Sequence, residues 1–179
     1  MPGRNPHEAY KSFLGPIQFA VSCVAQAKVM VSRGGQKETD RRHSLTINNG
    51  DEVDLGRGLR LWASIDYTFL PIEGGGFRWK VRTLAYRYNI YDGEKELLSF
   101  HWHPDGRSPV TTPHVHLGAP TLSKTGLITP HTHLPTGRVS FESVVRLLIT
   151  ELGVKPRVPN WRERLDSYER LFRDHMTWG

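Results

Sequence analysis

The stretch from Phe77 to Pro104, FRWKVRTLAYRYNIYDGEKELLSFHWHP, decides the fold. It contains two runs rich in aromatic and β-branched residues, which favour strands. Asp92-Gly93 between them indicates a tight hairpin, because a type I′ turn needs positive φ angles that Asp and Gly tolerate. We therefore predict two antiparallel strands joined by a loop with an even number of residues.

An even loop sets which side chains share a face of this hairpin, because directly opposed residues point the same way. One face, the expected core face, collects Phe77, Trp79, Val81, Thr83, Ala85, Leu98, Phe100 and Trp102. The other face collects Arg78, Lys80, Arg82, Leu84, Tyr86, Tyr88, His101 and His103. The sequence thus predicts one apolar face and one face with cations, tyrosines and imidazoles but no carboxylate.

The segments before the hairpin extend the β-structure. Residues 59–69 alternate between apolar and polar side chains, as a half-buried strand does. Residues 17–31 also alternate and favour a strand, although their length and their alanines leave a helix open. Residues 32–52 are polar and carry the turn signals Gly34-Gly35 and Asn49-Gly50, so they are expected to form a mobile loop.

Two helices are predicted after the β-rich part, over residues 140–152 and 160–175. Ser140 and Asn160 are suitable N-caps, and Gly153 is a natural stop after the first helix. Both segments carry an apolar stripe at helical spacing. The predicted fold class is α+β: an antiparallel β-sheet with the C-terminal helices packed on one face, in a single domain of residues 1–179.

Composition bounds the functional classes. The net charge of +6 and the pI near 9.7 suit an anionic partner, nucleic acid first among them. Cys23 is the only cysteine, which excludes an intrachain disulfide and a cysteine-built zinc site. The sequence shows neither a signal peptide nor an apolar run of the roughly 20 residues that span a bilayer, so we expect a cytoplasmic protein without membrane contact. Nothing in the sequence indicates the oligomeric state.

Histidine is used in a repeated pattern. Six of the nine histidines form three His-x-His triplets, and two of these lie in the related segments PHVHL (113–117) and PHTHL (130–134). An i, i+2 pair on a strand places both imidazoles on one face, with Cα atoms roughly 6.7 Å apart. The short connection PDGRSPVTTP between the first two triplets predicts that these segments pair as antiparallel neighbours.

The first hypothesis for these histidines is metal-independent RNA cleavage. Attack of a ribose 2′-OH on its own phosphate needs a base, an acid and a cation that stabilises the phosphate. The candidate catalytic residues are His101, His103, His114, His116 and Arg82. The candidate RNA-binding residues, which supply cations, stacking surfaces and further imidazoles, are Arg78, Lys80, Tyr86, Tyr88, His131 and His133.

The alternative is a metal centre, zinc or iron, in a metalloenzyme or a structural site. A catalytic zinc ion needs three protein ligands and an open position, which two neighbouring His-x-His strands would supply. Its candidate ligands are His101, His103, His114, His116, His131 and His133. The absence of Asp and Glu from the two PHxHL segments argues against it. A third hypothesis is a non-catalytic interaction module.

Residues 77–150 resemble the core of the TumE-type toxins, small proteins of toxin–antitoxin pairs. The resemblance is carried by Tyr86-Arg87-Tyr88, by His101-Trp102-His103, by Pro113-His114-Val115-His116 and by the helix over 140–152. It implies an RNA-targeting activity and an antitoxin protein as partner. The sequence differs from the family in its second PHxHL segment, its long N-terminal part and its last helix.

Overall fold

The structure is a computed structural model that describes residues 2–73, 76, 78–106, 108–122 and 128–175. Nine strands form one antiparallel sheet in this part of the chain: β1 (Pro2–Gly3), β2 (Val29–Val31), β3 (His43–Ile47), β4 (Val53–Gly56), β5 (Leu59–Pro71), β6 (Trp79–Asp92), β7 (Lys95–Trp102), β8 (His114–Leu117) and β9 (Leu134–Pro135). The order is β2-β3-β5-β6-β7-β8-β9, with β4 also paired to β5 and β1 to β6.

Three helices pack on one face of this sheet: α1 (Pro6–Val24), α2 (Phe141–Thr150) and α3 (Trp161–His175). The α+β class and the two C-terminal helices are therefore confirmed. Ser140 caps α2, since its side chain accepts a hydrogen bond from Ser143 N at 3.0 Å. None of the described helices is long and apolar enough to cross a membrane.

Helix α1 corrects the prediction of a strand over residues 17–31. The chain begins a helix at Pro6, whose missing N–H costs nothing there, and Asn5 accepts a hydrogen bond from Glu8 N at 2.9 Å. Its buried residues recur at helical spacing: Ala9, Tyr10, Ile17, Ala20, Val21 and Val24. The alternation from residue 17 is that of a largely apolar helix, and only Val29–Val31 is a strand.

The polar segment 32–52 is not a loop throughout, which corrects a second prediction. Strand β3 occupies its centre and pairs with β2 on one side and β5 on the other. His43, Leu45 and Ile47 are buried on the core face of the sheet. The apolar alternation of five residues is enough to place a strand inside a segment whose average composition is polar.

The core lies between the helices and the inner face of β3, β5, β6 and β7. On β5 the residues Leu61, Ala63, Ile65, Tyr67 and Phe69 are all buried, as the alternation of residues 59–69 predicts. The predicted core residues Leu98, Phe100 and Trp102 of β7 also face the helices, whereas Phe77 lies outside the described residues. We call the opposite side of the sheet the outer face.

Two β-bulges decide which residues of the hairpin reach the outer face. Leu84 is an extra residue of β6 against β5, and Leu97 is an extra residue of β7 against β6. The loop is even, because Asp92 opposes Lys95, but the bulge at Leu97 shifts the register so that Arg87, not a tyrosine, opposes His101. The bulge at Leu84 moves the residues that follow it in β6 to the faces opposite those predicted. The bulge at Leu97 returns the later residues of β7 to their predicted faces.

The prediction that Tyr86 and Tyr88 lie on the imidazole-bearing face is therefore wrong. Both tyrosines are buried among the core residues, and their rings stack with centroids 4.8 Å apart. Ala85 opposes Asp66 and belongs to the outer face instead of the core. The expected absence of carboxylates is also wrong, since Asp66 and Glu96 lie on the outer face.

Glu142 is a buried acid at the start of α2, only 4% exposed. Burial raises the pKa of its carboxyl, and the neighbouring Glu169 carboxylate adds to the rise, against the hydrogen bonds from its own N–H and from Ser140. Because the carboxyl holds its proton more firmly in the folded chain, its ionisation costs stability at pH 7. That cost disappears as the pH falls below the unfolded-state pKa of about 4.5.

Replacing Glu142 by glutamine should therefore raise the melting temperature at pH 7 and leave it unchanged below pH 4. Glutamine keeps an acceptor for the hydrogen bonds but has no charge to bury. In a chain of this size each kcal/mol gained appears as about 2–4 °C. Thermal unfolding from pH 4 to pH 8 measures the difference, with the exposed Glu163→Gln as control. A gain that is equal at both ends of the pH range would contradict the assignment.

Candidate functional site

Five imidazoles meet on the outer face, at the edge formed by β7, β8 and the segment before β9. They belong to His101, His103, His114, His116 and His133, which we call the histidine cluster. The antiparallel pairing of β7 with β8 sets His101 directly opposite His114, as the short connection predicts. Ring centroids of neighbouring members lie between 4.5 and 5.8 Å apart.

The cluster contains two groups of three histidines that share one member. His101, His103 and His114 form the first group, and His114, His116 and His133 form the second. In each group one nitrogen per ring lies within 4.8 Å of the others, close enough for the three rings to converge on one ion after small side-chain rotations. His114 is the common member and is only 1% exposed.

The hydrogen bonds of His114 fix which of its nitrogens is available. Its Nδ1 lies 2.8 Å from the carbonyl oxygen of Thr112, which can only accept, so Nδ1 carries the proton. The lone pair is then on Nε2, which is buried and has no hydrogen-bond partner among the described residues. Buried polar atoms are rarely left without a partner, so this nitrogen points to a bound group.

The same pattern recurs in His116 and His101. His116 Nδ1 donates to the carbonyl oxygen of Pro130 at 3.1 Å, which leaves the lone pair on Nε2. His101 Nε2 contacts Ser99 Oγ, and Ser99 in turn donates to Asn89 Oδ1 at 2.9 Å. Ser99 can therefore only accept from His101, whose lone pair lies on Nδ1.

The hydrogen bonds that link His101 to Ser99 and Asn89, which we call the relay, end at a carboxylate. The amide of Asn89 donates to Glu96 Oε2 at 2.9 Å, which settles the orientation of the amide group. Backbone carbonyls and carboxylate-ended relays of this kind are the partners that orient metal-bound imidazoles in proteins. Three members of the cluster are thus held in the tautomer that a ligand needs.

Three imidazoles of the cluster have lowered pKa values and are neutral at pH 7. Burial lowers the pKa of His101 to about 3, with further contributions from the Arg87 guanidinium and from the neighbouring rings of His116, His114 and His103. Burial also lowers the pKa values of His114 and His116. Neutral imidazoles at pH 7 are suited to bind a cation and poorly suited to act as general acids.

Not all of the predicted site residues join the cluster. His131 lies in an exposed turn and belongs to neither group of three, although its charge acts on His116. Lys80 and Arg82 share the outer face, as predicted, but they oppose Leu70 and Thr68 of β5, several residues from the partner of His101. Arg78 is exposed and precedes β6.

The sequence interpretation missed four residues beside the cluster: Arg87, Asn89, Glu96 and Ser99. Arg87 was hidden by the bulge at Leu84, which moves the odd-numbered residues after it to the outer face. Asn89 and Ser99 are both buried and oppose each other in the hairpin. A polar pair in the middle of two apolar strands is the signal that could have revealed this relay.

Comparison with known proteins returns no match, since no family model, no curated protein and no solved structure is significantly similar to this chain.

If the histidine cluster holds a zinc ion, replacing Ser99 by alanine should weaken zinc binding by about 10–100-fold, the usual cost of losing a residue that supports a metal ligand. The change removes the acceptor for His101 Nε2–H and lets the ring turn or change tautomer. Competition with a chromophoric chelator measures the affinity. Ser22→Ala is the matched control, because that hydroxyl also donates inside the fold, to Phe19 O at 2.6 Å, but lies on α1. Equal zinc affinity in both variants would exclude a supporting role for Ser99.

Proposed function

We propose that this protein is a zinc-dependent hydrolytic enzyme whose ion is held by the histidine cluster. The observation that carries the proposal is the buried Nε2 of His114, which belongs to both groups of three and has no partner in the part of the chain that the structure describes. Catalytic zinc sites use three protein ligands and keep one position for water. Bound zinc would supply a water with a pKa near 7, a nucleophile at neutral pH.

The first group of three, His101, His103 and His114, is the set we assign to the ion. Two of its members, His101 and His114, lie opposite each other on paired strands, which hold side chains more firmly than a loop does, and His103 directly follows β7. His103 also lines an open groove on the outer face, so a substrate can reach this group. His116 and His133 lie beside it and form the second possible set.

Zinc fits the donors better than iron. Non-haem iron sites of the common type combine two histidines with a carboxylate, whereas neutral imidazoles alone suit zinc. In the described part of the chain, both groups of three consist of histidine alone. The relay carboxylate of Glu96 is separated from His101 by Asn89 and Ser99.

The test is the metal content of the purified chain. We expect about one zinc ion per chain after dialysis against zinc, and release of the ion by a strong chelator together with a fall in melting temperature. Zinc-loaded protein should hydrolyse activated esters or phosphate esters, and the chelated protein should not. A chain that retains no zinc and melts at the same temperature with and without a chelator would overturn the proposal.

RNA cleavage without a metal is the second candidate, and the shared face of Lys80, Arg82, Arg87 and His101 favours it. It predicts cleavage of single-stranded RNA in the presence of a chelator, and toxicity that a neighbouring antitoxin would suppress. The loss of Tyr86 and Tyr88 as stacking surfaces and the low pKa of His101 argue against it. Cleavage that survives replacement of His101, His103, His114 and His116 by alanine would exclude a histidine mechanism.

A further inference from the structure

A groove adjoins the histidine cluster on the outer face of the sheet. It encloses about 390 Å³, within the range of small-molecule sites. Its lining includes Arg42, Trp62, Ser64, Asp66, Tyr86, Arg87 and His103. His103 also belongs to the first group of three histidines, so the groove lies directly beside the proposed ion.

The charge of the groove is positive on balance, because its one carboxylate is already engaged. Asp66 accepts from Arg42 at 2.7 Å through one oxygen and from Ser44 Oγ at 2.6 Å through the other. The side chain of Arg87 is exposed and forms no hydrogen bond or ion pair with any residue that the structure describes. Burial raises the pKa of the Glu96 carboxyl, which is close enough to Arg87 for the guanidinium charge to oppose the rise, but the carboxylate accepts a hydrogen bond from Asn89.

The indole of Trp62 lies next to Arg87 and forms an aromatic surface of the groove, which we call the aromatic floor. Trp62 opposes Asn89 and Ser64 opposes Arg87, so the indole and the guanidinium are diagonal neighbours on one face. The indole is held in place by a hydrogen bond from Nε1 to Gly50 O at 2.8 Å. A second cavity, lined by Trp62, Arg87, Asn89 and Tyr91 among others, continues the groove along the strands. Two carboxylates, Asp51 and Glu52, also line it, and Glu52 pairs with Arg60 at 2.5 Å.

We propose that the groove binds a small organic anion, with a planar ring on Trp62 and a carboxylate or phosphate group at Arg87. A guanidinium suits both anions because its planar fork matches their oxygens. The anion would lie beside His103, next to the ion of the proposed function, and the identification of this ligand as a substrate rests on that function. Binding itself depends only on the groove.

The experiment measures binding of phenyl phosphate, benzoate and neutral benzyl alcohol to the full chain by calorimetry, with and without zinc. We expect the two anions to bind and the alcohol to bind on the order of tenfold more weakly. Arg87→Gln should weaken both anions by a similar factor while the zinc content stays unchanged. Arg170→Gln is the matched control, since Arg170 is also exposed but lies on α3 and outside the groove lining.

Trp62→Leu separates the two halves of the proposed ligand. It should weaken phenyl phosphate on the order of tenfold and leave inorganic phosphate unaffected, because only the ring loses its contact. The order of phenyl phosphate and benzoate tells which anionic group the groove prefers. Equal affinity of phosphate and phenyl phosphate for the unaltered protein would contradict the aromatic floor.

Two further results would overturn the proposal: no binding of either anion, or anion binding that Arg87→Gln leaves intact. A single-stranded RNA that binds through Arg87 when neither small anion does would also overturn it. If the chain binds no zinc but still binds both anions through Arg87, the groove stands and the proposed hydrolytic function fails. If zinc binds and the anions do not, the proposed anion site fails and the proposed zinc site stands.

Discussion

Replacing His114 by alanine should lower the affinity for zinc by more than about 100-fold, beyond the 10–100-fold that loss of a mere supporting residue costs. His114 belongs to both groups of three, so neither group keeps three imidazoles without it. Its Nε2 is buried and has no hydrogen-bond partner among the described residues, and the variant loses the hydrogen bond from Nδ1 to Thr112 O. Competition with a chromophoric chelator gives the affinity of both chains.

Stability supplies an independent measure of the same change. At a free zinc concentration 100 times the dissociation constant, the ion should stabilise the unaltered chain by about 2.7 kcal/mol. His114→Ala should lose this gain and should melt at the same temperature with and without a chelator. The variant keeps the strand pairing of β8, which is made by backbone atoms.

The control for this variant is His43→Ala. His43 is also about 1% exposed, but it lies on β3 and its Nε2 is bonded to Glu38 O at 2.8 Å. Its loss should destabilise the fold through a cavity and leave zinc affinity unchanged. The zinc proposal for His114 fails if His114→Ala retains the original affinity, or if both variants lose it equally.

Replacing Tyr88 by alanine should destabilise the fold by about 3–5 kcal/mol, the cost of removing a buried aromatic side chain. Tyr88 is 3% exposed, stacks on Tyr86, and meets Phe141 of α2 edge-on with centroids 5.5 Å apart. Its neighbour Arg87 points to the outer face. Arg87→Ala should therefore change the free energy of unfolding by no more than about 0.5 kcal/mol.

This pair of variants tests the face assignment directly, because adjacent residues of one strand should differ by several kcal/mol. Urea denaturation followed by circular dichroism gives both values if unfolding is two-state. A small effect of Tyr88→Ala together with a large effect of Arg87→Ala would mean that Tyr88 lies on the outer face of β6 and Arg87 on the core face. The tyrosines would then be available to stack on RNA bases, as the sequence alone predicts.

Sequence periodicity predicted the elements whose burial is regular. Strand β5 alternates without interruption over its core residues, and α2 carries both its apolar stripe and its Ser140 cap. Helix α1 was missed because nearly all its faces are apolar or small, so that a period of two and a period of 3.6 fit the same letters. The pair Asn5-Pro6 at its start was the better guide.

The histidine cluster was partly predictable. The His-x-His spacing and the short connection placed His101, His103, His114 and His116 together. Of the two further candidate ligands, the structure brings His133 to the cluster and leaves His131 outside both groups of three. Which nitrogen of each ring is free could not be read from the sequence, because the acceptors are backbone carbonyls and a serine brought close by folding. The position of Arg87 could not be read either, since a bulge leaves no fixed mark in a strand pattern.

The bulge at Leu84 also bears on how this chain could change in length during evolution. Leu84 is the extra residue of β6 against β5, so its deletion would leave Arg82, Thr83 and Ala85 on the faces that they now occupy. A deletion a few positions further on, within residues 86–90, would carry polar side chains into the core. Single-residue gaps among related chains are therefore expected to collect at Leu84, and a gapless comparison would misalign Tyr86 with a solvent-facing position.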